Sequence, residues 1–206
     1  MRFEVWEPYY RDILEYFGFD RAQDEEAARL LGTLMTRDNI LSLTSLTCGN
    51  DITVCGNAPC LKKELDKISG VVFAADAAAE VLDAHGIIPD AVFTDLDGAD
   101  DRLLELNESG TIVIIHAHGD NMPLLRSWVP RFKGPVVATT QSTPLKNVYN
   151  FGGFSDGDRA VFAADELGAD HITIIGFDLD DTNVDPMKRG KLFWARKLLA
   201  AIGHVC

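Results

Sequence analysis

The chain is short of positive charge, of paired cysteines and of long apolar runs, and each shortage removes a class of function. Nineteen Lys and Arg stand against 32 Asp and Glu, a formal net charge of −13 over 206 residues. A nucleic-acid backbone or an anionic membrane surface needs a basic face, so neither is expected as a partner. The four cysteines, Cys48, Cys55, Cys60 and Cys206, contain no C-x-x-C pair, which speaks against a structural zinc. A disulfide scaffold is not expected at this size and cysteine density. The cysteines read instead as small hydrophobes, and the reducing cytoplasm as the compartment. No apolar run approaches the roughly 20 residues of a membrane helix. Residues 1–8, M-R-F-E-V-W-E-P, lack the apolar stretch of a secretory leader. Neither G-x-G-x-x-G nor G-x-x-x-x-G-K-[ST] occurs, so two common phosphate-loop signatures are missing.

What is present suits a globular enzyme. A 47% hydrophobic, 25% charged composition is enough for one full core. Residues 1–48 read as a helical segment. Trp6, Tyr9, Tyr10, Ile13, Leu14 and Phe17 recur at helical spacing until Gly18, and Asp24 is placed to cap a second helix. From residue 49 to 206 the pattern becomes α/β. Short Val- and Ile-rich runs at 52–55, 71–75, 91–94, 111–115, 135–138 and 172–175 alternate with helical stretches near 59–68, 77–85, 100–108, 121–129, 158–168 and 187–202. Continuous apolar strands spaced by helices predict a doubly wound, mainly parallel six-stranded sheet with helices on both faces.

Polar chemistry follows all six of these strands, at the end where open α/β sheets bind ligands. The first ends in Gly56 and Asn57, a turn that lets backbone approach a phosphate. The second ends in Asp76. The third, V-F-T-D-L-D-G, gives Asp95 and Asp97. Two carboxylates this close repel unless a cation sits between them, and hard oxygen ligands suit Mg²⁺. The fourth gives His116, His118, Asp120 and Asn121, at a helix opened by Pro123. H-x-H-x-D also fits a zinc hydrolase, but such sites add a histidine where Asn121 stands, and the parallel α/β pattern is wrong for that fold. The fifth gives Thr140 and Gln141, followed by F-G-G-F-S-D-G-D-R-A at 151–160. There Ser155 or Asp156 can cap the next helix, and Gly153, Ser155 and Asp156 with Arg159 as the fixed cation resemble an anion-cradling loop. The sixth ends in Gly176 and an acidic tail.

These motifs, in this order, resemble the archaeal 6-hydroxymethyl-7,8-dihydropterin pyrophosphokinases, relatives of thiamine pyrophosphokinase in fold. H-A-H-G-D-N at 116–121 and G-G-F-S-D-G-D-R at 152–159 carry the resemblance most specifically. It implies transfer of the β,γ-diphosphoryl unit of ATP to the hydroxymethyl oxygen of a reduced pterin, with release of AMP. Mg²⁺ would be held by Asp95, Asp97 and Asp120, which with Arg159 form the catalytic group. Gly56, Asn57, Thr140, Gly153, Ser155, Asp156 and Gly176 would hold the nucleotide. Asp76, His116, His118 and Asn121 would face the acceptor. The partners are small molecules, and a homodimer is left open. Three other readings stay open: a haloacid-dehalogenase-type phosphatase, a D-x-D metal-dependent glycosyltransferase and a nucleotide-sensing domain without turnover.

Overall fold

A computed structural model describes residues 1–204; Cys206 lies outside them. Helices α1 (Phe3–Phe17), α2 (Arg21–Leu34) and α3 (Ile40–Thr47) precede β1 (Asp51–Cys55). Then come α4 (Leu61–Glu64), β2 (Val71–Ala75), α5 (Ala78–Asp83), β3 (Ala91–Thr94), α6 (Asp101–Glu108) and β4 (Ile112–Ala117). The chain continues through α7 (Met122–Trp128), β5 (Val136–Thr140), α8 (Asp156–Glu166), β6 (His171–Ile175) and α9 (Pro186–Ala201). The strands form one sheet in the order β5-β4-β3-β2-β1-β6, with every neighbouring pair parallel.

Alternate strand residues feed two cores. Val72, Ala74, Val92, Val113 and Ile115 pack against α2, α4, α5, α6 and α7. Ile52, Val54, Phe73, Phe93 and Ile114 pack against α3, α8 and α9. Burial on both faces is why the central strands are apolar without a polar alternate, whereas the edge strand β6 exposes His171 and Thr173. Phe73 and Phe93, fully buried and 5.4 Å apart between ring centroids, anchor the second core, where Phe93→Ala would cost about 3–5 kcal/mol. The crossover from β5 to β6 carries α8 across this face, over β3, β2 and β1. Its N-terminus therefore lies near the carboxyl ends of the central strands. Helix α1 seals the flank, with Trp6, Tyr10 and Ile13 packed against Phe154, Phe162, Trp194 and Leu198. The β5 edge is covered: Tyr149 exchanges backbone hydrogen bonds with Ala138 and Thr140, which blocks edge pairing.

Three local expectations are corrected. Asp24 does not cap α2. Asp20 does, its carboxylate accepting from the Ala22 N–H at 2.9 Å, while Asp24 lies inside the helix and is buried. Strand β4 runs two residues beyond the apolar run, because His116 and Ala117 pair with Thr139 and Thr140; His116 is therefore a strand residue. The helix expected at 59–68 is shorter, α4 tightening into a 3-10 turn at Leu65–Lys67.

Candidate active site

The carboxyl ends of β3, β4 and β5 form one wall of a cleft of about 360 Å³. Asp95, His118, Asp120 and Gln141 come from these strand ends. Phe19, Asp20 and Asp24 come from the turn and helix after α1, Ser155, Asp156 and Arg159 from the start of α8, and Met187 and Lys191 from α9. A smaller hollow of about 90 Å³, lined by Asp76, Thr94, Asp97 and Arg102 among others, lies alongside.

Between the two hollows three carboxylates converge. Asp76, Asp95 and Asp156 each offer an oxygen within 4.8 Å of the others. The backbone is bent to bring them there. Asp76 sits at φ +45° and Leu96, the residue between Asp95 and Asp97, at φ +70°; left-handed conformations at non-glycine residues collect at functional sites. Asp76 is tethered at both ends, its N–H donating to Phe93 O at 2.7 Å and its carboxylate accepting from Thr94 Oγ1 at 2.9 Å.

The three carboxyls do not ionise alike. Burial works against the charge on Asp95, but His118, the Asp97 N–H and Arg159 outweigh it and hold the group at about 2. Burial raises Asp156 to about 7, Arg159 opposing and Asp95 and Asp76 adding to the rise. Burial raises Asp76 as well, with Asp95 and Asp97 adding to it against the Thr94 hydrogen bond. Burial disfavours the charge on Asp76 and Asp156, and the neighbouring carboxylates add to that penalty. A divalent cation relieves it, and an all-oxygen donor set suits Mg²⁺. The residues fit such an ion.

The expected ligand set was Asp95, Asp97 and Asp120; the structure gathers Asp95 with Asp76 and Asp156 instead. The turn at Leu96 leaves Asp97 exposed on the smaller hollow, its N–H donating to Asp95 Oδ1 at 3.0 Å. Asp120 lies on the 3-10 turn Gly119–Asn121, exposed at the cleft wall. His118 Nε2 stands 3.4 Å from Asp95 Oδ2. His116 is buried; its Nδ1 meets Thr139 Oγ1 at 3.1 Å, and that hydroxyl donates to Ile115 O. Burial, with Arg159 and His118, keeps His116 well below the usual imidazole range. Asn121 has its amide engaged, donating to Asp95 O at 2.8 Å and His116 O at 2.7 Å and accepting from the His118 N–H. It braces the ends of β3 and β4.

Several of the proposed nucleotide residues have other partners. Gly56 N donates to Ile175 O and Gly176 N to Glu64 Oε2 at 2.9 Å. A Cβ on Gly56 or Gly157 would fall 2.7 Å from the Phe177 ring, so those glycines make room for an aromatic side chain. Asn57 is exposed beside them. Thr140 is buried, its hydroxyl 3.0 Å from Ser142 Oγ. Gly153, at φ +84°, lets its loop run against the Arg159 backbone. The Phe154 and Ser155 N–H groups both donate to Asp158, and Ser155 caps α8. Arg159 keeps its cation role in view: Nη1 meets Asp156 at 3.2 Å, and the buried Nε has no hydrogen-bond partner.

Sequence reasoning missed Phe19, Asp24, Phe154, Met187 and Lys191 as cleft residues.

Comparison with known proteins is consistent across the chain. A family model described as MptE-like, 6-hydroxymethylpterin diphosphokinase, matches residues 27–184. Relatives named 6-hydroxymethyl-7,8-dihydropterin pyrophosphokinase are 40% identical in Pyrococcus furiosus, over 97% of this chain and 93% of the relative. In Methanothermobacter thermautotrophicus the identity is 36%, over 97% and 94%; in Methanocaldococcus jannaschii it is 33%, over 86% and 80%. A solved glycosyltransferase structure, MAf from Magnetospirillum magneticum AMB-1, aligns at TM-score 0.48 and 17% identity over 82% of this chain and 29% of that one, a likeness too slight to bear on chemistry.

Proposed function

The chain belongs to the MptE-like 6-hydroxymethylpterin diphosphokinase family, and from that premise we infer that it transfers the diphosphoryl unit of ATP to 6-hydroxymethyl-7,8-dihydropterin. The bond formed joins the hydroxymethyl oxygen to the β-phosphorus. The bond broken is that between the β-phosphorus and the oxygen bridging it to the α-phosphorus, and AMP leaves. Such transfers need positioning and charge neutralisation more than covalent chemistry.

One observation carries the residue-level reading: the acidic trio lies between two hollows, with Arg159 beside it. Asp76, Asp95 and Asp156 would hold Mg²⁺, with Asp97 and Asp120 on the walls of the two flanking hollows. When bound, the ion neutralises charge that develops on the phosphate oxygens. Arg159, its guanidinium held by Asp156 and Gln141 at the cleft wall, supplies a fixed cation for a phosphate oxygen. Lys191, on the cleft wall with no ion-pair partner among the described residues, adds a second cation. Phe19, Phe154 and Met187 supply apolar surface for a planar ring. His118, held beside Asp95, is the nearest imidazole able to take the hydroxyl proton.

The test is product analysis by chromatography after incubation with ATP, Mg²⁺ and the reduced hydroxymethylpterin. AMP and a diphosphorylated pterin are expected in equal amounts. ADP as the sole nucleotide product, or phosphate released without pterin, would overturn the reading.

A further inference from the structure

We propose that Asp24 is a positioning residue for the transfer reaction, acting through Gln141 to fix the Arg159 guanidinium. The inference rests on the reading of Arg159 as the cation that meets the nucleotide phosphates. Asp24 lies before the residues 27–184 that the family model covers, on a helix whose first role is packing.

The geometry is a buried relay. Asp24 is 3% exposed. Its Oδ2 accepts from Tyr10 Oη and from Gln141 Nε2, each at 2.7 Å, and its Oδ1 accepts from the Gly119 N–H at 2.8 Å. Gln141 is 4% exposed, and its Oε1 accepts from Arg159 Nη2 at 3.3 Å. Arg159 Nη1 reaches Asp156 of the acidic trio. The direction of each bond is forced. A carboxylate accepts and a guanidinium only donates, so the Gln141 amide has one orientation that satisfies both neighbours. Removing the carboxylate frees the amide to flip, and a flipped amide turns its NH₂ against the guanidinium. The Gln141 backbone is fixed independently, its carbonyl accepting from Trp6 Nε1 at 2.8 Å and Asn150 Nδ2 at 3.0 Å. Only the side-chain orientation is left for Asp24 to set.

The same carboxylate pins a second strand end. Through Gly119 it holds the turn after β4 that carries His118 and Asp120. A Cβ on Gly119 would fall 2.7 Å from Gln23, so the turn lies directly against α2. Polar networks of this kind couple their members more strongly than separate deletions suggest.

The experiment is a double-mutant cycle on the full chain, with ATP, Mg²⁺ and 6-hydroxymethyl-7,8-dihydropterin. Asp24→Ala is expected to lower kcat/KM for ATP about tenfold in the wild-type background and less than about twofold in the Arg159→Gln background. An equal loss in both backgrounds, or no loss in either, overturns the proposal. Gln141→Met interrupts the same relay with little change of volume and carries the same expectation if Asp24→Ala does not fold. A second readout is independent of turnover: the Arg159 Nε–Hε resonance in ¹⁵N NMR should be a single sharp signal in the wild type and should shift or broaden in either variant. An unchanged resonance also overturns the relay. If the wild type makes no AMP, the pyrophosphokinase reading fails while the resonance still decides the relay.

Discussion

At Asp95 burial and hydrogen bonding pull in opposite directions, and hydrogen bonding wins, leaving the carboxyl ionised down to about 2. Its charge is thus fixed at any working pH, as the anchor of a cation site should be. Asp95→Asn keeps the shape and removes the charge; turnover should fall at least about 100-fold, and because a carboxyl depressed by the fold stabilises it above about pH 4, the denaturation midpoint at pH 7 should fall as well. Steady-state kinetics and urea unfolding check the pair of outcomes. Asp156 is the opposite case, raised to about 7. An unfolded chain releases that proton near pH 3.9, so between about pH 4 and 7 the fold holds a proton that the unfolded chain does not. In chelated protein Asp156 therefore costs stability as pH rises through that window, and Asp156→Asn should flatten the slope. Unfolding midpoints at pH 5 and 8 measure it; identical slopes would contradict the assignment. Asp95 was legible in the sequence as part of D-x-D. Asp156 was read from the sequence as a nucleotide-holding loop residue and not as part of an acidic cluster, because its partners Asp76 and Asp95 lie 80 and 61 positions away in the chain. Asp24 was misread for the same reason: two of its three donors, Gly119 and Gln141, come from distant strand ends.

At the scale of elements, the loop into α8 decides where Arg159 stands. Gly153 has φ +84°, and a Cβ there would sit 2.7 Å from the Arg159 backbone. Gly153→Ala should therefore cost about 3 kcal/mol, conformational strain and overpacking together, and should lower ATP use as well. Gly86, at φ +74° with open space around its Cβ position, gives the comparison: Gly86→Ala should cost about 1 kcal/mol and leave kinetics unchanged. Chemical denaturation and ATP kinetics on both variants separate backbone strain from displacement of α8. The strands were readable because burial on both faces leaves a continuous apolar signature. Their ends were not. β4 continues through His116 because backbone pairing with Thr139, not hydrophobicity, sets where the ladder stops. The glycines at 56 and 157 carried a phosphate-loop appearance in sequence, and the ring of Phe177 that they accommodate could not be seen there.

For the whole molecule, the order β5-β4-β3-β2-β1-β6 is what sends α8 across the sheet and brings Asp156 over the ends of β2 and β3. Strand alternation predicted a parallel sheet but carries no information on that order. A cation that binds this assembly and not the unfolded chain should stabilise the fold, by about 2.7 kcal/mol at 100 times its dissociation constant. Thermal unfolding with Mg²⁺ and with chelator checks the sign. Carboxylates from the ends of β2 and β3 and from α8 would together seat the cation at which the diphosphoryl group moves. Titration with Mn²⁺ as a paramagnetic stand-in, followed by the free-ion EPR signal, tests it on wild type, Asp76→Asn, Asp95→Asn and Asp156→Asn. Each of the three substitutions is expected to weaken Mn²⁺ binding at least about tenfold. Wild-type Mn²⁺ affinity in all three variants would contradict it.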